Sequence, residues 1–159
     1  MKQLKILLKN DVYTSDYPHI ISTTLYFEHE GRCFPDDQWT DFTYPVLDTW
    51  ALTLINNQMS SDVKFELLFM DGPYKLEITK DSTMQLMIDC VNIKQGNVCE
   101  YTVTCGYWEF LSALNETMRE FVRILHDRGM DSGIFSAAYK QSISTMKRLH
   151  DILKNQKEE

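Results

Sequence analysis

Four strand-like runs follow one another with very little between them: Val63 to Met70, Tyr74 to Thr79, Met84 to Val91 and Val98 to Cys105. They are joined by Asp71-Gly72-Pro73, by Lys80-Asp81-Ser82-Thr83 and by the segment from Asn92 to Asn97, which contains Gly96. Gly, Pro, Asp and Asn supply the backbone angles that tight turns need. A parallel crossover takes about a dozen residues or more. Connections this short therefore allow only antiparallel neighbours, and the middle of the chain must be an antiparallel meander. Two earlier runs, Lys2 to Lys9 and Ile20 to Glu30, bring the expected count to five or six strands. In the second of them Ile21, Thr23, Leu25 and Phe27 alternate with Ser22, Thr24, Tyr26 and Glu28. That is the period of a strand with one buried face.

Helical periodicity appears in three places. Trp39, Phe42, Val46, Leu47, Trp50 and Leu54 recur at steps of three and four, and Pro45 fits only a first turn. The regular helix is therefore expected to begin near Thr43 or Tyr44 and to stop at Asn56-Asn57, with Trp50 in the core. Tyr107, Phe110, Leu111, Leu114, Met118, Phe121, Val122 and Leu125 form a longer stripe, ended by Arg128-Gly129. A third helix is expected from a cap at Asp131 or Ser132 to about Asn155. Its apolar side is Ile134, Ala138, Ile143, Met146, Leu149, Ile152 and Leu153, and residues 154–159 follow as a frayed tail. The predicted fold class is α+β: an antiparallel meander with one inserted helix and two long C-terminal helices packed on one sheet face. A single domain over residues 1–159 is expected.

Composition narrows the function. Hydrophobic residues make up 43% and charged residues 25% of 159, which excludes a disordered chain. Sixteen Lys and Arg stand against 23 Asp and Glu, a formal charge of -7, so phosphate backbones repel the protein. Neither nucleic acid nor membrane is expected as a partner. No run approaches the roughly 20 apolar residues of a membrane span, and Met1 to Lys9 lacks a signal-peptide core. The four cysteines, Cys33, Cys90, Cys99 and Cys105, form no C-x-x-C pair and have no histidine at finger spacing. Reduced thiols and a cytoplasmic location are expected.

No catalytic constellation is legible. The histidines are His19, His29, His126 and His150, and no G-x-S-x-G elbow or glycine-rich phosphate loop can be written. His126 and His150 suit helix ends, where a cation complements the dipole. His29 with Asp36 and Asp37 has no established ligand spacing. Lys140, Lys147 and Arg148 read as a solvated helix face. The chain is expected not to be an enzyme and to need no metal or cofactor.

Two segments stand out. Phe34-Pro35-Asp36-Asp37-Gln38-Trp39-Thr40-Asp41-Phe42 gathers three acids and a tryptophan before a helix, and Phe69-Met70-Asp71-Gly72-Pro73-Tyr74 turns a hairpin. Acids at a helix start complement its dipole, and an Asp in a turn caps its amides. The same acids can also present a carboxylate cluster to a basic protein. The order of a strand, F-P-D-D-x-W-x-D-F, V-L-x-x-W and F-M-D-G-P-Y resembles small bacterial immunity proteins of polymorphic-toxin and contact-dependent-inhibition systems, over about residues 20 to 80. That resemblance implies a role, neutralising a cognate toxin by binding it, and carries over no catalytic residue. A basic nuclease is the kind of toxin that an acidic partner reaches fast by electrostatic steering. The expected partner-binding residues are Asp36, Asp37, Trp39, Asp41 and Asp71, with Asp36 and Asp37 facing solvent. Two alternatives remain open. One is a metal-dependent enzyme built on Asp36, Asp37, Asp41 and Asp71; the other is a self-associating structural or regulatory subunit.

Overall fold

The structure, a computed structural model, describes residues 4–15, 19–94 and 96–158. Its class is α+β with antiparallel sheets, but the strands number eight among the described residues and divide between two four-stranded sheets. The first sheet contains β1 (Leu4–Thr14), β2 (Ile21–His29), β3 (Arg32–Phe34) and β4 (Thr40–Phe42). The second is the meander β5 (Val63–Leu68), β6 (Tyr74–Lys80), β7 (Gln85–Asn92) and β8 (Val98–Gly106), in that spatial order.

The extra strands come from the segment read as a loop. β3 and β4 are three residues each, too short to carry a period, and both pair with β2, at Phe27↔Phe34 and Thr24↔Thr40 among others. β2 is therefore a central strand. Its second face is covered as well, so Thr24 and Tyr26 are buried where the alternation predicted exposure. β1 also runs past Lys9, across an irregularity in its register between Leu8 and Val12. There the Asp11 carboxylate accepts the Thr24 amide at 3.0 Å, which draws a polar stretch into the sheet. The proposed start of β1 at Lys2 lies outside the described residues.

Helix α1 (Thr43–Asn56) begins as Pro45 requires and buries Val46, Leu47, Trp50, Ala51 and Leu54. Past its end the Asn57 side-chain amide donates to the Thr53 carbonyl at 2.8 Å. Helix α2 (Tyr107–Asp127) buries the expected stripe, with Ile124 taking the place given to Val122. It ends at Arg128-Gly129, where Gly129 has φ +69°. Its Thr117 hydroxyl donates to the Ile6 carbonyl at 2.6 Å, which ties the helix to β1.

Helix α3 (Ser136–Glu158) differs from expectation in three ways. A short 3-10 turn, Gly133–Phe135, precedes it and leaves Ile134 exposed. It continues through the stretch read as a frayed tail, as far as Glu158. It also packs on α2 and α1 rather than on a sheet, with Ser142, Thr145 and Leu149 buried and Thr145 donating to Asp48 at 2.6 Å. A face so rich in polar residues suits a helix neighbour better than a strand surface.

One hydrophobic cluster spans both sheets. Phe27 of β2 stacks on Phe110 of α2 at 6.3 Å, Phe110 meets Trp50 of α1 at 6.4 Å, and Trp50 meets Phe69 at the end of β5 at 5.2 Å. Trp50 is fully buried, and its indole N–H donates to the Leu68 carbonyl at 2.8 Å. The first sheet, the helices and the meander thus meet along a single aromatic line.

Candidate partner-binding surface

The fold brings together the two segments singled out in the sequence. Phe34 ends β3 and packs edge-on against Phe69 at 5.7 Å and Tyr74 at 5.5 Å. Trp39 follows four residues on from Pro35 and fits between the same two rings, 6.5 Å from Phe69 and 5.1 Å from Tyr74. The tip of its six-membered ring points at Gly72: a Cβ built there would come within 2.4 Å of Cη2. Only glycine lets the hairpin backbone approach an indole so closely.

Asp41 is the joint between the two segments, and its place corrects the expectation of a surface acid. The residue is 0% exposed. One oxygen accepts the Trp39 indole N–H at 2.9 Å and the other the Phe42 amide at 2.7 Å. The Met70 amide reaches both oxygens, at 3.1 and 3.0 Å. The carboxylate that satisfies the hairpin amide is therefore Asp41, from the other sheet, and not Asp71. Burial pushes the Asp41 carboxyl above its ordinary pKa, the donated hydrogen bonds oppose that shift, and the nearby Asp71 charge adds to it. With its lone pairs facing N–H donors, Asp41 is a poor cation ligand.

The other expected residues are at the surface. Asp36 is exposed and accepts the Gln38 amide at 2.8 Å, which fixes the loop after Pro35. Asp37 is exposed, and its carbonyl accepts the Lys9 ammonium at 2.9 Å. Asp71 is exposed beside Gly72, and Trp39 is half-buried. Asp36, Asp37 and Asp71 are thus set at one end of the molecule around the Trp39–Gly72 contact, while Asp41 secures them from beneath.

Composition and period did not reveal the apolar residues at this end. Met70, Ile93 and Val98 are exposed, and the Ile93 amide donates to the Pro73 carbonyl at 2.7 Å, so the two meander turns adjoin. The available signal was their position, since each stands in or next to a turn. His29 lies in β2 opposite Leu4, and among the described residues no group of three or more His, Cys, Asp or Glu is placed to hold a metal ion. His126 ends α2 and contacts Asp131 at 3.0 Å. All four cysteines are free thiols; Cys90 and Cys105 are buried with their pKa pushed up to about 12 by desolvation, and Cys99 is exposed. No helix among the described residues is long and apolar enough to cross a membrane. No protein-family model, no curated protein and no solved structure matches the chain.

Proposed function

We propose that this chain is an acidic binding protein of the immunity type, acting in the cytoplasm, which neutralises a basic toxin by docking over it. The observation that carries this reading is the Asp41 joint. A buried carboxylate and an indole seated on Gly72 fix the loops that bear Asp36, Asp37 and Asp71. Exposed binding residues on a rigid scaffold lose little conformational freedom on association. The charge of -7 favours fast encounter with a cationic surface. The free thiols agree with a reducing compartment.

The experiment is a binding measurement against the polypeptide encoded beside this chain, by stopped-flow over a range of salt. Fast association that slows steeply with salt, and slows again in Asp36→Asn/Asp37→Asn, supports the reading. A neighbour with no toxin activity, or one that this protein does not bind, overturns it.

A further inference from the structure

The strand edges of the two sheets are defended in different ways, with one exception. Along β1 the Leu4 amide donates to Glu109 at 3.3 Å, and the Ile6 and Asn10 carbonyls accept from Thr117 at 2.6 Å and from Arg128 at 2.8 Å. At the outer edge of β5 the Leu68 carbonyl accepts the Trp50 indole N–H at 2.8 Å, and Lys64 supplies a charge. β3 and β4 are three residues each. Covering side chains, an edge lysine and shortness are the usual means of keeping a strand edge from pairing. β8 uses none of them. It runs nine residues along the margin of the meander, contains no Lys, Arg or Pro, and has Glu100 as its one charged residue.

The register shows which backbone groups are left over. The Tyr107 amide donates to the Met84 carbonyl at 2.8 Å, and bonded pairs in an antiparallel ladder recur at every second residue. Leu86–Cys105 and Ile88–Val103 are therefore the pairs that bond β7 to β8. Thr102 and Thr104, at the alternate positions, turn their amides and carbonyls away from β7, and among the described residues no strand stands beyond them. Both are exposed. Tyr101, Thr102, Val103 and Thr104 all favour the extended conformation.

We infer that the β8 edge is a dimer interface, at which a second copy of this chain adds its own β8 antiparallel and joins two meanders into one sheet. The strand is self-complementary about Val103. With that residue on a two-fold axis, Thr102 faces Thr104 of the second copy and Thr104 faces Thr102, so the outward amides and carbonyls of both chains meet. Glu100 falls opposite Gly106, which has no side chain to oppose it. The two Glu100 carboxylates then lie about 20 Å apart along the strands, beyond the screening length of about 8 Å at physiological salt. A cationic segment would find a single acid along this strand, whereas threonine opposite threonine is a favourable cross-strand pair. The edge therefore suits a second copy better than a basic partner. The inference does not rest on the reading of the Asp36, Asp37 and Asp71 loops, and either can fail alone.

The test is sedimentation velocity of the whole chain over a wide concentration range, with reductant present because Cys99 is exposed. One strand pair makes a small interface, so a dimer dissociating on the order of 100 µM is expected. Amide hydrogen exchange is followed in parallel. Thr102 and Thr104 should exchange fast in dilute protein and about tenfold more slowly where the dimer prevails. Thr104→Lys adds the edge lysine that the strand lacks, and should weaken the dimer about tenfold or more without loss of the fold. A chain that stays monomeric at about ten times the expected dissociation constant overturns the inference. So does a dimer whose Thr102 and Thr104 amides exchange as fast as in the monomer, or one that Thr104→Lys leaves intact. If Thr104→Lys does not fold, exchange in the wild-type chain still decides.

Discussion

Asp41 of the first sheet accepts the amide hydrogen of Met70, at the hairpin of the second, through both of its oxygens at 3.1 and 3.0 Å. Asp41→Ala would leave that amide, the Phe42 amide and the Trp39 indole N–H without their acceptor. A buried donor left unpaired costs about 1–3 kcal/mol, and water entering the gap relieves part of it. A loss of about 2–4 kcal/mol in urea unfolding is expected. A loss below 0.5 kcal/mol would show that the joint holds nothing.

The same carboxylate has a pH signature. Its folded-state pKa is raised by burial, so the folded protein holds this proton more tightly than the unfolded chain does. The stability it contributes is fully present below the unfolded value of about 3.9 and is lost as pH rises through the folded value. Wild type should therefore lose stability relative to Asp41→Asn as pH rises from about 4, and the difference should level off once the folded-state carboxyl has ionised. Parallel pH profiles for the two proteins would refute the assignment.

Gly72→Ala should act through Trp39. A methyl placed 2.4 Å from the ring must displace it, and overpacking of this kind costs about 1–3 kcal/mol. In a Trp39→Leu background the same change should cost much less. A double-mutant cycle with a coupling of about 1 kcal/mol or more would confirm the contact, and additivity would dismiss it.

Trp50→Ala removes the ring that meets both Phe69 and Phe110, together with the donor to the Leu68 carbonyl. A cost of about 3–5 kcal/mol is expected from thermal or chemical unfolding. Trp50→Phe keeps most of the packing and loses only that hydrogen bond, so it should cost about 1–2 kcal/mol.

Asp36→Asn/Asp37→Asn should separate binding from folding. Both residues are exposed, and surface changes of this type usually fall within about 0.5 kcal/mol. Association with a basic partner should slow, and its salt dependence should flatten. Unfolding of the double variant would instead make the acids structural, with the Asp36 bond to the Gln38 amide as the first suspect.

Where residues repeat with a strong period, the sequence was readable. The meander followed from its short turns, and the position of Pro45 located the start of α1. β3 and β4 escaped because three residues cannot show a period, and their pairing depends on β2, which only tertiary contact supplies. The division into two sheets escaped for the same reason: local pattern says which runs are strands, not which strands meet. Asp41 was singled out with its neighbours as an acid near a helix start. Its burial depends on Met70, 29 residues further along the chain, so no local rule could distinguish it from Asp36 or Asp37.

The aromatic line from Phe27 through Phe110 and Trp50 to Phe69 bears on how the molecule comes apart. The first sheet cannot melt alone without baring Phe110, nor the meander without baring Trp50, so a half-unfolded form would expose a large buried ring and pay much of the cost of losing the core. Unfolding should accordingly be all-or-none, with tryptophan fluorescence and far-ultraviolet dichroism changing together. The loops that carry Asp36 and Asp71 would then persist for as long as the centre of the molecule does, and local breathing would not loosen them first.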